Sequence, residues 1–345
     1  MTTKQFPQTI KAIQYVDVGG PEVIKMNEIP FPTPQPNEMV IRVLWGGVNF
    51  IDTYFRRGIY PLKSLPWTAG SEASGILESL PTDPAVLNDP EFKARNYKVG
   101  QLVATGVGPA FAEYVSKPWI KVLSVPDGVD PKIAAAVPVQ GLTVLTIIEE
   151  SYKAKKGDYC LVHAAAGGLG LTFCQLLSAR GVHVIGSVST REKVELAKAN
   201  GAEFVINYKE EDLIKRVNEI TNGEGVHGIY DGVGKSTWAG NFEMIRRKGT
   251  IVSIGNASGV IPPISVLELK NKNIHLVRPD NNNYLVTPEE VNQYNTQLWD
   301  AVTSGTLKTH IYKEYPFTPQ GVAEAQEEQS SGKTTGKLVI KIASS

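Results

Sequence analysis

Val162-His163-Ala164-Ala165-Ala166-Gly167-Gly168-Leu169-Gly170 is the stretch that decides the architecture of this 345-residue chain. The apolar run Tyr159 to His163 precedes it, and Leu169 to Arg180 follows with an apolar helical face. That is a strand, a tight turn and a helix. The spacing is Ala-x-x-Gly-x-x-Gly. Glycines let the backbone turn sharply and come close to a pyrophosphate, whose charge is then met by the N-terminus of the helix. In this context the turn predicts a dinucleotide site.

Working outward, the same rhythm continues. Val182 to Val188 reads as the next strand and Arg191 to Asn200 as the next helix. Glu203 to Ile206, Gly228 to Tyr230, Thr250 to Ile254 and Ile274 to Val277 extend the series. Alternation of this kind over residues 138–279 predicts an α/β fold, a doubly wound parallel sheet with helices on both faces. Residues 1–137 have a different texture. They are rich in Pro and Gly, with short β-branched runs such as Val40-Ile41-Arg42-Val43-Leu44, and predict a mostly β domain. Pro81 to Asn96, with its Thr-Asp-Pro and Asn-Asp-Pro steps, reads as a polar surface excursion. Residues 280–345 carry one helical segment, Glu289 to Ser304, and the alternating strand Lys337-Leu338-Val339-Ile340-Lys341. This last stretch lacks the βαβ rhythm and is expected to complete the first domain.

Composition narrows the function. Lys plus Arg and Asp plus Glu are 35 each, so bulk electrostatics offers nothing to duplex nucleic acid or an anionic membrane. No apolar run approaches the roughly 20 residues a membrane helix needs. Met1 to Pro7 shows neither a signal core nor a basic amphipathic pattern. The two cysteines, Cys160 and Cys174, read as buried thiols of a cytosolic protein. They are also too few for the ligand sets of a catalytic or structural zinc, and His163, His183, His227, His275 and His310 show no ligand spacing. No metal is expected, and each histidine reads as structural. Nucleophile elbows and Walker loops are absent, which leaves hydrolase and ATPase readings without support.

The second strand of the series bears on which dinucleotide binds. An NAD site usually places an acid about 20 residues beyond the glycine turn. Here the chain reads Ser187-Val188-Ser189-Thr190-Arg191-Glu192-Lys193. Glu192 is the one acid, and Ser189-x-x-Glu192 reads as a capping box for the next helix. Hydroxyls with Arg191 and Lys193 remain, a set suited to a 2′-phosphate.

Several motifs together resemble the zeta-crystallin-like quinone oxidoreductases of the zinc-free medium-chain dehydrogenase/reductase superfamily, and fungal members most of all. They are Gly47-Val48-Asn49-Phe50-Ile51-Asp52-Thr53-Tyr54, Arg57-Gly58-Ile59-Tyr60-Pro61, the glycine turn, Ile206-Asn207-Tyr208, Tyr230-Asp231-Gly232-Val233-Gly234, Gly255-Asn256-Ala257-Ser258-Gly259 and Val277-Arg278-Pro279. The resemblance implies a Rossmann domain and a split, GroES-like catalytic domain, with NADPH in the cleft. It puts Asn49 and Asp52 beside the nicotinamide, with Thr143 also touching the cofactor. Gly167, Gly168, Leu169 and Gly170 would take the pyrophosphate, and Ser189, Lys193 and Tyr208 the 2′-phosphate. Asn256 and Arg278 would line the cofactor cleft, and Tyr54 and Tyr60 would flank a quinone. Zinc relatives carry Cys near Asn49 and His near Ser71; this chain has neither. Two positions depart from the family. Gly232 replaces a frequent Ser, and Gly332, beside Lys333, stands where bacterial members place an Arg on the 2′-phosphate.

Quinone reduction asks the protein mainly to hold the ring near the nicotinamide and to donate hydrogen bonds to a developing oxyanion. Asn49, Tyr54 and Tyr60 are the catalytic candidates. An NADPH-dependent enone or aldehyde reductase would share every motif. A regulatory binding protein is the reading from another class, because zeta-crystallin relatives are associated with AU-rich RNA. Neutral charge and the lack of an RNA-binding signature weigh against it. A crystallin-like structural role is a third reading. The resemblance also implies a homodimer, paired through the apolar edge Asn273 to Val277.

Overall fold

The structure is a computed structural model that describes residues 6–343. The first five residues of the N-terminal stretch read above for a targeting signal lie outside the described residues. Two compact units divide the chain. One takes in the chain through Val139, the segment Val286–Asp300 and the chain from Thr309; the other is Gln140–Leu285 with Ala301–Lys308. The boundary between Asp300 and Ala301 falls inside the helix Pro288–Thr303.

The nucleotide unit holds a six-stranded sheet in the order Phe204–Asn207, His183–Val188, Tyr159–His163, Val226–Asp231, Ile245–Ser253, His275–Val277. Every pairing in it is parallel. Strand order therefore runs 3-2-1-4-5-6 and reverses beside Tyr159–His163, where doubly wound sheets bind ligands at their carboxyl edge. The strands are apolar on both faces, as burial between two helix layers demands. Leu161, Ile185, Ile229 and Ile251 are all fully buried.

In the other unit, Glu38–Val48 is the central strand. It pairs antiparallel with Glu72–Ser79, Tyr114–Pro118 and Lys337–Lys341 within a seven-stranded sheet. A smaller sheet joins Thr9–Tyr15, Ile24–Pro30 and Trp67–Thr68. The polar excursion is two short helices, Pro84–Asn88 and Pro90–Ala94. Each has an Asp N-cap whose side chain accepts backbone N–H groups, followed by Pro at the first helical position. The last region is richer than its sequence pattern suggested. Besides Pro288–Thr303 it forms the strand Ile311–Pro316 and a second helix, Pro319–Ser330, which Thr318 caps and Pro319 opens. Its buried face is small and amide-bearing (Gly321, Ala325, Gln326, Gln329), so hydrophobic periodicity could not reveal it.

Among the described residues no helix is long and apolar enough to cross a membrane. Cys160 and Cys174 are buried free thiols, and burial raises both, Cys174 up to about 12.

Candidate active site

In the first unit, Glu38–Val48 ends at Asn49, which opens the helix Phe50–Arg56. Asp52 sits three residues on, and its carboxylate accepts the Asn49 N–H at 2.8 Å, the acidic half of a capping box. Asp52 is 1% exposed and also accepts from the Ser71 hydroxyl. Burial pushes its carboxyl up to about 7. The Ser71 hydrogen bond, the Asn49 N–H and Lys337 pull the other way, and Glu72 adds to the rise.

Asn49 is buried, and its amide is committed. Nδ2 donates to Glu72 Oε1 at 2.8 Å, and Oδ1 accepts from Lys337 Nζ at 2.8 Å. Its remaining amide hydrogen has only the Gly47 carbonyl, at 3.5 Å. Glu72 (0% exposed) and Lys337 (1% exposed) form an ion pair, and the second Glu72 oxygen accepts from Val139 N at 2.8 Å. Gly47 must be glycine here, since a Cβ would strike the Glu72 carboxylate and the Ala135 carbonyl. Tyr54, buried, and Tyr60, half-exposed, meet edge to face with ring centroids 5.4 Å apart. The unit thus pairs Asn49 with Asp52 and Tyr54 with Tyr60 at and just beyond the helix Phe50–Arg56. It adds Ser71, Glu72 and Lys337, which the sequence reading did not single out.

In the nucleotide unit, Gly167 is the N-cap of the helix Gly168–Ala179. The first intrahelical bond runs from Leu171 N to Gly167 O. The N–H groups of Gly168, Leu169 and Gly170 precede it and have no partner within the helix. The glycines are not equivalent. At Gly170 a Cβ would overlap the backbone of Ala164 and Ala165, and at Gly168 it would strike the Gln140 amide. At Gly167 it would meet only Ala164 O, at 3.3 Å, and the φ of −78° suits any residue. Gly170 is needed by the turn itself, while Gly168 makes room for the Gln140 side chain. Gly167 keeps an open side, the kind of cradle a pyrophosphate fits.

At the end of the second strand the N-cap is Thr190, which accepts from Lys193 N at 3.3 Å. The expected capping box on Ser189 is therefore corrected by one residue. Ser189 lies just outside the helix because the chain stays extended through Thr190 (φ −146°). Tyr208 N donates to Val188 O at 3.1 Å, which sets Tyr208 beside this corner. Lys193 is partly buried, and burial lowers its pKa. Arg191 is drawn to Glu210 at 3.0 Å on the surface, while Lys209, not foreseen, lies 5.8 Å over the Tyr208 ring. Ser189, Lys193 and Tyr208 suit a phosphate, and the corner offers it no carboxylate at the strand end.

Arg278 donates to Ser253 Oγ at 2.9 Å and to Gly255 O at 3.3 Å. With its amide oxygen toward the guanidinium, Asn256 accepts from Arg278 Nη2 at 3.1 Å. Thr143 accepts from Asn281 Nδ2 at 3.2 Å. Among the described residues no three His, Cys, Asp or Glu side chains are grouped to hold a metal ion.

Residues 35–127 match the alcohol dehydrogenase GroES-like domain, and residues 168–296 match the zinc-binding dehydrogenase family. A probable quinone oxidoreductase of Schizosaccharomyces pombe is 39% identical, over 95% of this chain and 96% of its own. A 2-haloacrylate reductase of a Burkholderia species is 33% identical, over 93% of this chain and 96% of its own. The crystal structure of Escherichia coli quinone oxidoreductase complexed with NADPH superimposes with a TM-score of 0.88 at 33% identity, covering 96% of this chain and 99% of that one. With a Rossmann unit, a GroES-like unit and full-length relatives of this kind, the chain belongs to the quinone oxidoreductase family of the medium-chain dehydrogenases/reductases.

Proposed function

We propose that this chain is an NADPH-dependent quinone oxidoreductase that works without zinc. The observation that carries the cofactor is the corner at Ser189, Lys193 and Tyr208, which presents a cation and hydroxyls where an NAD site would present an acid. NADPH supplies the hydride when bound. The chain's own residues bind and orient. Gly167, Gly168, Leu169 and Gly170 take the pyrophosphate; Thr143, Asn256 and Arg278 line the cofactor; Asn49 and Asp52 stand at the nicotinamide end.

The geometry divides the catalytic work. With its amide held by Glu72 and Lys337, Asn49 acts as a fixed wall more than as a donor. The phenols of Tyr54 and Tyr60 are the donors for the quinone oxygens. The Asp52 carboxyl holds its proton up to near neutrality and accepts from the Ser71 hydroxyl.

NADPH consumption against a panel of quinones and enones tests this reading. Turnover of quinones is the expected result, and turnover of activated alkenes alone would replace quinone with enone. The 2-haloacrylate reductase relative is the reason enones belong in the panel.

The protein works as a homodimer in the cytosol. His275–Val277 is an edge strand, and Val260, Val266 and Leu267, in the segment that precedes it, are exposed apolar side chains of the kind a second copy covers. Light scattering at micromolar concentration should give the dimer mass, and a monomer would refute the pairing.

A further inference from the structure

His163 reads from sequence as a structural histidine, yet it is the centre of a hydrogen-bond chain beneath the glycine turn. Its ring is 4% exposed. Nε2 is 2.8 Å from Asn241 Oδ1, and Asn241 Nδ2 donates to Asp231 Oδ2 at 2.7 Å. The amide is thereby oriented with its oxygen toward the ring. An amide oxygen can only accept, so the ring proton is on Nε2. Nδ1 lies 3.0 Å from Ser187 Oγ, within hydrogen-bond reach of that hydroxyl. The chain runs from Ser187 through His163 and Asn241 to Asp231. Asp231 completes it by accepting Thr237 Oγ1 at 2.7 Å and the N–H groups of Val233 and Gly234 at 2.8 and 3.0 Å.

The chain spans three adjacent strands at one end of the sheet. His163 is the last residue of Tyr159–His163 and lies in register with Ser187 of His183–Val188. Asp231 is the last residue of Val226–Asp231 on the other side. Two of the strands lead directly into loops of the proposed cofactor site, Ala164 to Gly167 and Ser189 to Thr190, and the third into the turn Gly232 to Gly234. Asn241 comes from the helix Trp238–Met244 and is fully buried. Four buried side chains thus tie together the ends of three strands, two of which lead into loops that must meet one ligand.

We propose that the Ser187–His163–Asn241–Asp231 chain is a positioning device, with the His163 ring donating from Nε2, that holds the pyrophosphate turn and the 2′-phosphate corner in the mutual geometry NADPH requires. It acts on binding and leaves the chemical step alone. The proposal rests on NADPH as the cofactor.

The test is calorimetric binding of NADPH and of NADH to the full-length protein, to Ser187→Ala and to Asn241→Leu, with kcat at saturating NADPH and the melting temperature alongside. Losing one buried hydrogen bond that holds the two sites in register should raise the NADPH Kd about tenfold. NADH, which uses only one of the two sites, should lose less, and kcat should hold. If Asn241→Leu fails to fold, Ser187→Ala decides. Nitrogen-15 NMR of His163 in the native protein needs no variant and should show a proton-bearing Nε2. Unchanged NADPH affinity in a folded Ser187→Ala would overturn the proposal, as would a ring with no proton on Nε2. Native protein that binds no NADPH would instead defeat the functional reading itself.

Discussion

Lys337→Met removes one half of an ion pair that is almost wholly out of water, with Glu72 at 0% and Lys337 at 1% exposure. The carboxylate left behind keeps two neutral donors, Val139 N and the Asn49 amide, both at 2.8 Å. Neither supplies charge. Breaking a buried pair from one side costs about 3–5 kcal/mol, mostly because the remaining charge is stranded. Adding Glu72→Gln removes that charge and keeps a carbonyl for one of the two donors. The double variant should therefore recover much of the loss, with a coupling of about 2 kcal/mol or more. Denaturant unfolding of the four proteins measures it. Trp45, Trp67, Trp119 and Trp299, four of the five tryptophans, lie in the unit that contains the pair, so intrinsic fluorescence reports on the right transition. A double variant destabilised by the plain sum of the two single losses would refute the reasoning.

Asp52 predicts a pH effect. Its folded carboxyl titrates near 7 against an ordinary 3.8, so the folded state holds an extra proton between those values, and the associated stability is lost as pH rises through 7. Asp52→Asn should flatten unfolding free energy across pH 4–7, where the native slope from this group reaches at most about 1.4 kcal/mol per pH unit; equal slopes would contradict the assignment. Gly167→Val should fold and lose NADPH, whereas Gly170→Val should misfold, because only the latter collides with backbone; calorimetry and circular dichroism separate the two. Lys193→Ala should weaken NADPH by about ten- to hundredfold, the value of a charge-assisted hydrogen bond, and spare NADH. Parallel loss of both cofactors would make Lys193 a structural residue. Dialysis against a strong chelator should leave activity and melting temperature unchanged, and activity lost together with stoichiometric zinc would overturn zinc independence.

Local pattern was enough for some features and not for others. The glycine turn, the parallel series around it and the acid-free end of His183–Val188 are read from consecutive residues, since strand, turn and helix periodicities are short-range. The Asp-Pro steps at 83–84 and 89–90 likewise carry their own helix starts. Ser189 failed as a cap because the extended chain runs one residue further than the motif spacing alone could show.

What the sequence by itself determined is the nucleotide unit, its glycine turn and the residue types at the corner proposed for a 2′-phosphate. Only the tertiary structure decided the partners of those residues. Lys337 opens an alternating strand and reads as a solvated charge until the pairing of Leu338 with Val48 carries it 288 positions back to Asn49. His163 reads as an apolar strand's end until Asn241, 78 residues on, fixes its proton. Both contacts depend on which strands lie side by side, a long-range outcome of chain packing that no window of neighbouring residues contains.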